Sequence, residues 1–155
     1  MAMLFLLMAA MMSACGLGSD RERAVSQSNE AIESVDRAGQ RIAEAIATLS
    51  QQDAAARDLS SVRQAAEAYL TELEKLNSAI RALGDTSPTL QTHVTSDFRP
   101  KAEAAAADCQ RAVDVLGGAA DDEAVRSAIT LLGRCIDSYA SAVRGVSEAY
   151  AGLSE

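Results

Sequence analysis

The sequence predicts an all-α protein, an antiparallel up-down four-helix bundle whose third helix is kinked or broken near Pro100. Three observations lead there. Apolar residues recur at alternating spacings of three and four along most of the chain, the pattern of helices packed side by side. Aromatic residues make up only 3% of the chain, there is no Trp, and the alternation of β-branched residues that marks strands is hard to find. The length of 155 residues fits one domain.

The first helix is expected from Ser19-Asp20-Arg21-Glu22, which fits a capping box: the Ser hydroxyl accepts from the amide three residues on, and the Glu reaches back. Its core ladder runs Val25, Ser28, Ile32, Val35, Gly39, Ile42, Ile46, Leu49. The break after it rests on phase, because Ser50-Gln51-Gln52-Asp53 contains neither Gly nor Pro. Continuing the first ladder would place core positions at 53, 56 and 60, whereas the next ladder starts at Leu59 and Val62. Asp53 is a candidate cap for the second helix, and one long helix across this point is the alternative. The second ladder continues through Ala66, Tyr69, Leu73, Leu76, Ile80 and Leu83. Gly84 is expected in the left-handed cap position, with Pro88 following.

Ser87 and Pro88 open the third helix. Pro100 falls inside it, removing one backbone bond and crowding the preceding turn, hence the expected kink near Phe98–Pro100. Ala102, Ala105, Cys109, Ala112 and Leu116 form its later ladder, and Gly117-Gly118 ends it. Asp121-Asp122-Glu123 suits the positive end of a fourth helix. That helix carries Val125, Ile129, Leu132, Ile136, Tyr139, Val143, Val146, Tyr150 and Leu153. Segments of roughly 30 residues give rods of about 45 Å, and short connections make sequential neighbours antiparallel. Tyr69 and Tyr139 are too large for every layer. Gly39 and the stretch Ala104-Ala105-Ala106-Ala107 offer small surfaces to receive them.

Ahead of this domain, Met1–Met12 reads MAMLFLLMAAMM, an uncharged apolar run shorter than the roughly 20 residues a membrane-spanning helix needs. It has the length of a signal-peptide core. Met12-Ser13-Ala14-Cys15 follows, then Gly16-Leu17-Gly18. The order resembles the lipobox of bacterial lipoproteins, in which an aliphatic and two small residues precede a cysteine. The resemblance implies cleavage between Ala14 and Cys15 and acylation of the Cys15 thiol, with palmitate-type chains anchoring it in the bilayer. It divides the chain into a removed leader, 1–14, a lipidated tether, 15–19, and a bundle domain, 20–155. With Gly16 rather than Asp after the cysteine, the location implied is the outer membrane, facing the periplasm.

Export leaves Cys109 and Cys135 as candidates for a disulfide between the third and fourth helices. Such a bond would be worth roughly 3–4 kcal/mol by loop entropy. Against it, the two positions lie at unequal distances from the intervening turn, an offset near 9 Å along the helices. Two buried free thiols are the alternative, and no second pair of soft ligands completes a metal site.

Composition and motifs exclude several activities. The net charge of −8, from 22 acidic and 14 basic side chains, argues against nucleic acid. His93 is the single histidine, without the Glu-x-x-His pattern of di-iron bundles, and reads as a solvated surface residue. Glu72 and Glu74 flank Leu73 and read as solvated, not as a catalytic pair. The pairs Glu33–Arg37, Arg63–Glu67 and Arg144–Glu148 are spaced for ordinary helix-surface attraction. No cofactor and no catalytic residue is called, and the expectation is a protein that is not an enzyme. It is a membrane-anchored periplasmic lipoprotein that binds a protein partner close to the bilayer. Two alternatives stay open: an immunity or inhibitor lipoprotein whose acidic surface neutralises a toxin, and a small-ligand carrier with a cavity near the Pro100 kink.

Overall fold

Heptad spacing and alanine-rich composition become four long helices in the computed structural model, which describes residues 19–51, 58–118 and 121–153. Helix α1 spans Ser19–Ser50 and α2 spans Ser60–Gly84. Helix α3 is one rod in three pieces: α-helical Pro88–His93, a π-helical turn Val94–Phe98 and α-helical Arg99–Gly118. Helix α4 spans Asp122–Ala151. No helix among the described residues is long and apolar enough to cross a membrane. The leader, Cys15 and the candidate cap Asp53 lie outside the described residues.

Helix α1 packs along α2, α2 along α3, and α3 along α4. All eight expected core positions of α2 except Leu59 are buried, and half-buried Leu59 packs against them. Ser28 is fully buried, and its hydroxyl donates to the Ala79 carbonyl at 3.3 Å. A polar residue thereby holds a heptad core position without an unmet bond.

The ends depart from expectation in instructive ways. The amide of Ser60 donates to Asp58 Oδ1 at 2.9 Å, so Asp58 stands where α2 begins. The Ser60 hydroxyl first, and that amide contact second, hold the Asp58 carboxyl below its usual range. Gly84 is not a left-handed cap. It stays helical and buried, and the cap is Asp85 with right-handed angles. Successive bonds from Asp85, Thr86 and Ser87 amides to Arg81, Leu83 and Gly84 carbonyls turn the chain instead. Gly84 serves close approach: a Cβ there would meet Val94 Cγ2 at 3.2 Å. At the start of α4, Asp121 accepts from the Ala124 amide at 2.8 Å, as the acidic run implies.

The kink at Pro100 takes the form of the π turn. The Arg99 amide bonds back to the Val94 carbonyl, five residues earlier, which widens the helix where proline would crowd it. Pro100 itself has no amide hydrogen to donate to the turn before it. Nearby hydroxyls bond backwards as well, Thr95 to the Gln91 carbonyl at 2.8 Å and Ser96 to the Thr92 carbonyl at 2.8 Å. The rod bends without breaking.

Candidate functional site

The four helices do not close evenly. Helices α1 and α4 meet at one end, where the Arg21 guanidinium lies 4.8 Å over the Tyr150 ring. Over their middle they stand apart and bound a cavity of about 630 Å³. One bank is the face of α1 from Ile32 to Ile46, and the other is the face of α4 from Ile129 to Arg144. The floor comes from Tyr69 and Leu76 of α2 with Leu132 and Tyr139 of α4.

The core ladders explain why the groove exists. On α4 the buried stripe is Val125, Ala128, Leu132, Cys135, Tyr139 and Ala142, continuing to Tyr150. Ile129 and Ile136, expected as core, are only partly buried and line the groove. On α1 the buried set includes Ala24 and Ala38, while Val25, Gly39 and Ile46 are half-exposed. Each helix therefore carries an apolar face wider than the seam it buries, and the surplus faces the groove. The Tyr69 ring fills the space beneath α1: a Cβ on Gly39 would meet its Cε2 at 3.6 Å. Gly39 thus receives an aromatic ring, as the sequence implied. Gly133, on the opposite bank, has nothing within 4 Å of where a Cβ would stand.

The two core tyrosines differ. Tyr139 is 1% exposed, packs edge-on to Phe98 with centroids 6.0 Å apart, and donates its hydroxyl to the Leu73 carbonyl at 3.3 Å and to Asn77 Oδ1. Tyr69 is 2% exposed, yet its hydroxyl forms no hydrogen bond among the described residues. Burial pushes both phenols well above their ordinary range, with the neighbouring Cys135 adding to the effect. Behind them sit Cys109 and Cys135, both free thiols and both fully buried. The structure brings this pair together despite the expected offset. Cys135 is pushed far above the ordinary thiol range, first by its hydrogen-bonding contact with Cys109 and then by burial.

His93 is not a freely solvated residue. Its side chain is 29% exposed, and Nε2 lies 3.5 Å from Asp97 Oδ2 without a directed hydrogen bond. The pair faces α4 at Gly145, where a Cβ would come within 3.4 Å of His93 Nε2. Lys101, 2.7 Å from Asp97, holds that carboxyl below its usual range. Glu72 pairs with Lys75 at 2.8 Å, and Arg63 with Glu67 at 2.9 Å. Glu33 and Arg37 come within 3.9 Å, whereas Arg144 and Glu148 form no ion pair among the described residues. No group of three His, Cys, Asp or Glu side chains is placed to hold a metal among the described residues.

Two other clefts are present. One between α1 and α2, about 420 Å³, is rimmed by Gln27, Glu30, Glu72 and Lys75 with Ala31, Ala79 and Ala82 between them. The other, beside Phe98 and Arg99, holds only about 120 Å³, so the cavity expected near Pro100 is small and the substantial one lies between α1 and α4. The sequence carried a signal for it that helical spacing alone does not resolve: Gly133 and Ala140 share a face with Ile129 and Ile136, a run of small residues beside large ones.

Comparison with protein families, with characterised proteins and with solved structures gives no match.

Proposed function

We propose that the protein is a lipid-anchored binding module of the bacterial cell envelope, which holds an apolar guest in the α1/α4 groove and performs no chemistry on it. The groove is the observation that carries this reading. Ligand sites are concave, mostly apolar and roughly 300–1,000 Å³ in size, with a few polar groups to orient the guest. A cavity of about 630 Å³ walled by Ile42, Ile46, Ile129 and Ile136 has that character. Asp36, Gln40, Asp137 and Arg144 stand along it.

Among the functions the sequence left open, this favours the small-ligand carrier over the protein-binding adaptor. The groove runs about 21 Å along α1 from Ile32 to Ile46 at 1.5 Å per residue. Its volume over that length corresponds to a free channel about 9 Å wide, narrower than the 10–12 Å diameter of a helix with its side chains. A narrow guest fits, and a partner helix would have to push the banks apart.

The anchor places this module at the outer membrane, facing the periplasm. Its support is the order of apolar run, small residues, Cys15 and glycine tether directly ahead of α1. Four residues from Cys15 to Ser19 reach at most about 14 Å, so the groove works close to the bilayer. The test is native mass spectrometry of the full chain released from its own membranes. The expected spectrum shows an acylated Cys15 at the N-terminus and one small guest per chain, the guest missing from a Gly133→Leu variant. A leader still attached would overturn the anchor, and a guest carried equally by the variant would overturn the groove.

A further inference from the structure

The groove is itself divided into a polar and an apolar part. The helices bounding it are antiparallel, so the level of Ile46 on α1 faces that of Ile129 on α4, and Ile32 faces Arg144. From Ala43 to Ile46, and from Ile129 to Gly133 opposite, the lining contains no charged or hydrogen-bonding side chain. The polar groups gather at the other half. Asp36 and Asp137 line it from opposite banks, and the antiparallel register set by Arg21 over Tyr150 puts them at nearly the same level. Asp36 accepts from Gln40 at 3.2 Å, and Asp137 has no partner among the described residues. Beneath this level lies the Tyr69 hydroxyl, 2% exposed as a residue and without a hydrogen bond. Solvent reaches its oxygen, which is therefore open to a hydrogen bond from a guest in the groove.

We infer that the groove binds a single extended aliphatic chain bearing a positively charged head, such as an alkylammonium. This rests on the reading of the groove as a ligand site. The tail starts between Ile42, Ile46, Ile129 and Gly133, about 6 Å of wholly apolar channel. The head sits between the Asp36 and Asp137 carboxylates, with Tyr69 Oη available to accept from an ammonium N–H and its ring offering a face to the cation. The missing side chain at Gly133 opens the channel: a Cβ there would point into open space. The sign of the head follows from the two carboxylates and the net charge of −8, which disfavour an anionic amphiphile. Arg144, at the end of the groove beyond the paired carboxylates, is the group that would favour one instead.

Calorimetric titration of the full chain with hexyl-, octyl- and decylammonium, below their micelle concentrations, tests this against decyl sulfate. Each added methylene should tighten binding about fourfold. Decylammonium should bind at least tenfold more tightly than decyl sulfate, and Asp137→Lys, at an exposed position, should reverse that order. Gly133→Leu should weaken every chain at least tenfold while the helix content by circular dichroism is kept. Tighter binding of the sulfate to the wild type would overturn the head assignment and point to Arg144. Undiminished binding to Gly133→Leu would overturn the site, placing the chains on another surface such as the apolar leader. If no alkyl chain binds but membrane-released protein still carries a guest lost in Gly133→Leu, the groove stands as a ligand site and this ligand class falls.

Discussion

Replacing Gly133 by Ala measures the groove through stability alone, without any ligand. Glycine in a helix interior costs about 0.5–1 kcal/mol relative to Ala, because it loses more backbone freedom on folding. The gain is realised in full only where the new methyl has room. At Gly133 nothing lies within 4 Å of the Cβ position. Gly133→Ala should therefore stabilise the protein by about 0.5–1 kcal/mol. Gly145, on the same helix, is the control: its Cβ would stand 3.3 Å from Asp97 Oδ2 and 3.4 Å from His93 Nε2. Gly145→Ala carries the same propensity gain but must displace the His93–Asp97 pair, so its net effect should be near zero or destabilising. Urea unfolding gives the comparison directly, with a shifted midpoint and an unchanged slope. With a slope of about 2 kcal/mol per molar, the two variants should differ by roughly 0.3–0.5 M in midpoint. A Gly133→Ala variant less stable than wild type would mean that α1 and α4 close on each other there, and the groove reasoning would fail with it.

Other consequences are equally measurable. Tyr139→Phe keeps the edge-on packing against Phe98 but removes the hydroxyl from Leu73 and Asn77; the cost should be about 1 kcal/mol by chemical denaturation, and a loss above 3 would mean the ring has moved. Tyr69→Phe removes a hydroxyl with no hydrogen bond, so without ligand it should leave stability unchanged or raised; a loss above about 1 kcal/mol would reveal an internal partner. Cys135, Tyr69 and Tyr139 all have folded-state acidities pushed upward, so the unfolded chain gives up these protons first. Their contribution is complete below about pH 9 and is lost as pH rises past the ordinary thiol and phenol range of 9 to 10; stability flat between pH 8 and 11 would contradict their burial. Oxidation of a purified Cys15→Ser chain should link Cys109 to Cys135 within one chain, seen as a loss of two mass units, and two thiols that stay unlinked when the chain is loosened in mild urea would mean they are not adjacent.

How much of this was legible beforehand follows from what helical spacing encodes. The ladder of α2 read correctly from Val62 to Leu83 because that helix packs against both α1 and α3, so its apolar stripe and its buried stripe coincide. On α4 they do not. Ile129 and Ile136 fit the heptad as well as Leu132 and Tyr139 do, yet they face the groove, while Ala128, Cys135 and Ala142 are buried. A repeat of three and four identifies an apolar face but not which neighbour covers it. Pro100 gave the position of the irregularity but not its form, since a break, a bend and a π turn all relieve the same lost bond. Gly84 shows the same ambiguity for glycine, where left-handed angles and close packing leave one signature and the packing against Val94 is what the fold uses. His93 was misjudged because its Thr- and Ser-rich surroundings look solvated, whereas those hydroxyls bond back to their own helix and the imidazole faces α4. The anchor rests on local order around Cys15 alone, which no packing pattern informs.

The most direct test of the groove is methyl-selective NMR of the full chain with isotopically labelled isoleucines, in the presence of decylammonium. Through-space contacts should run from the ligand's methylenes to Ile42 and Ile46 on one bank and to Ile129 and Ile136 on the other, while buried Ile80 of α2, fully enclosed, stays silent. Contacts from Ile42 straight to Ile136 that persist with ligand present, and no methylene contact to either, would contradict an open channel between α1 and α4.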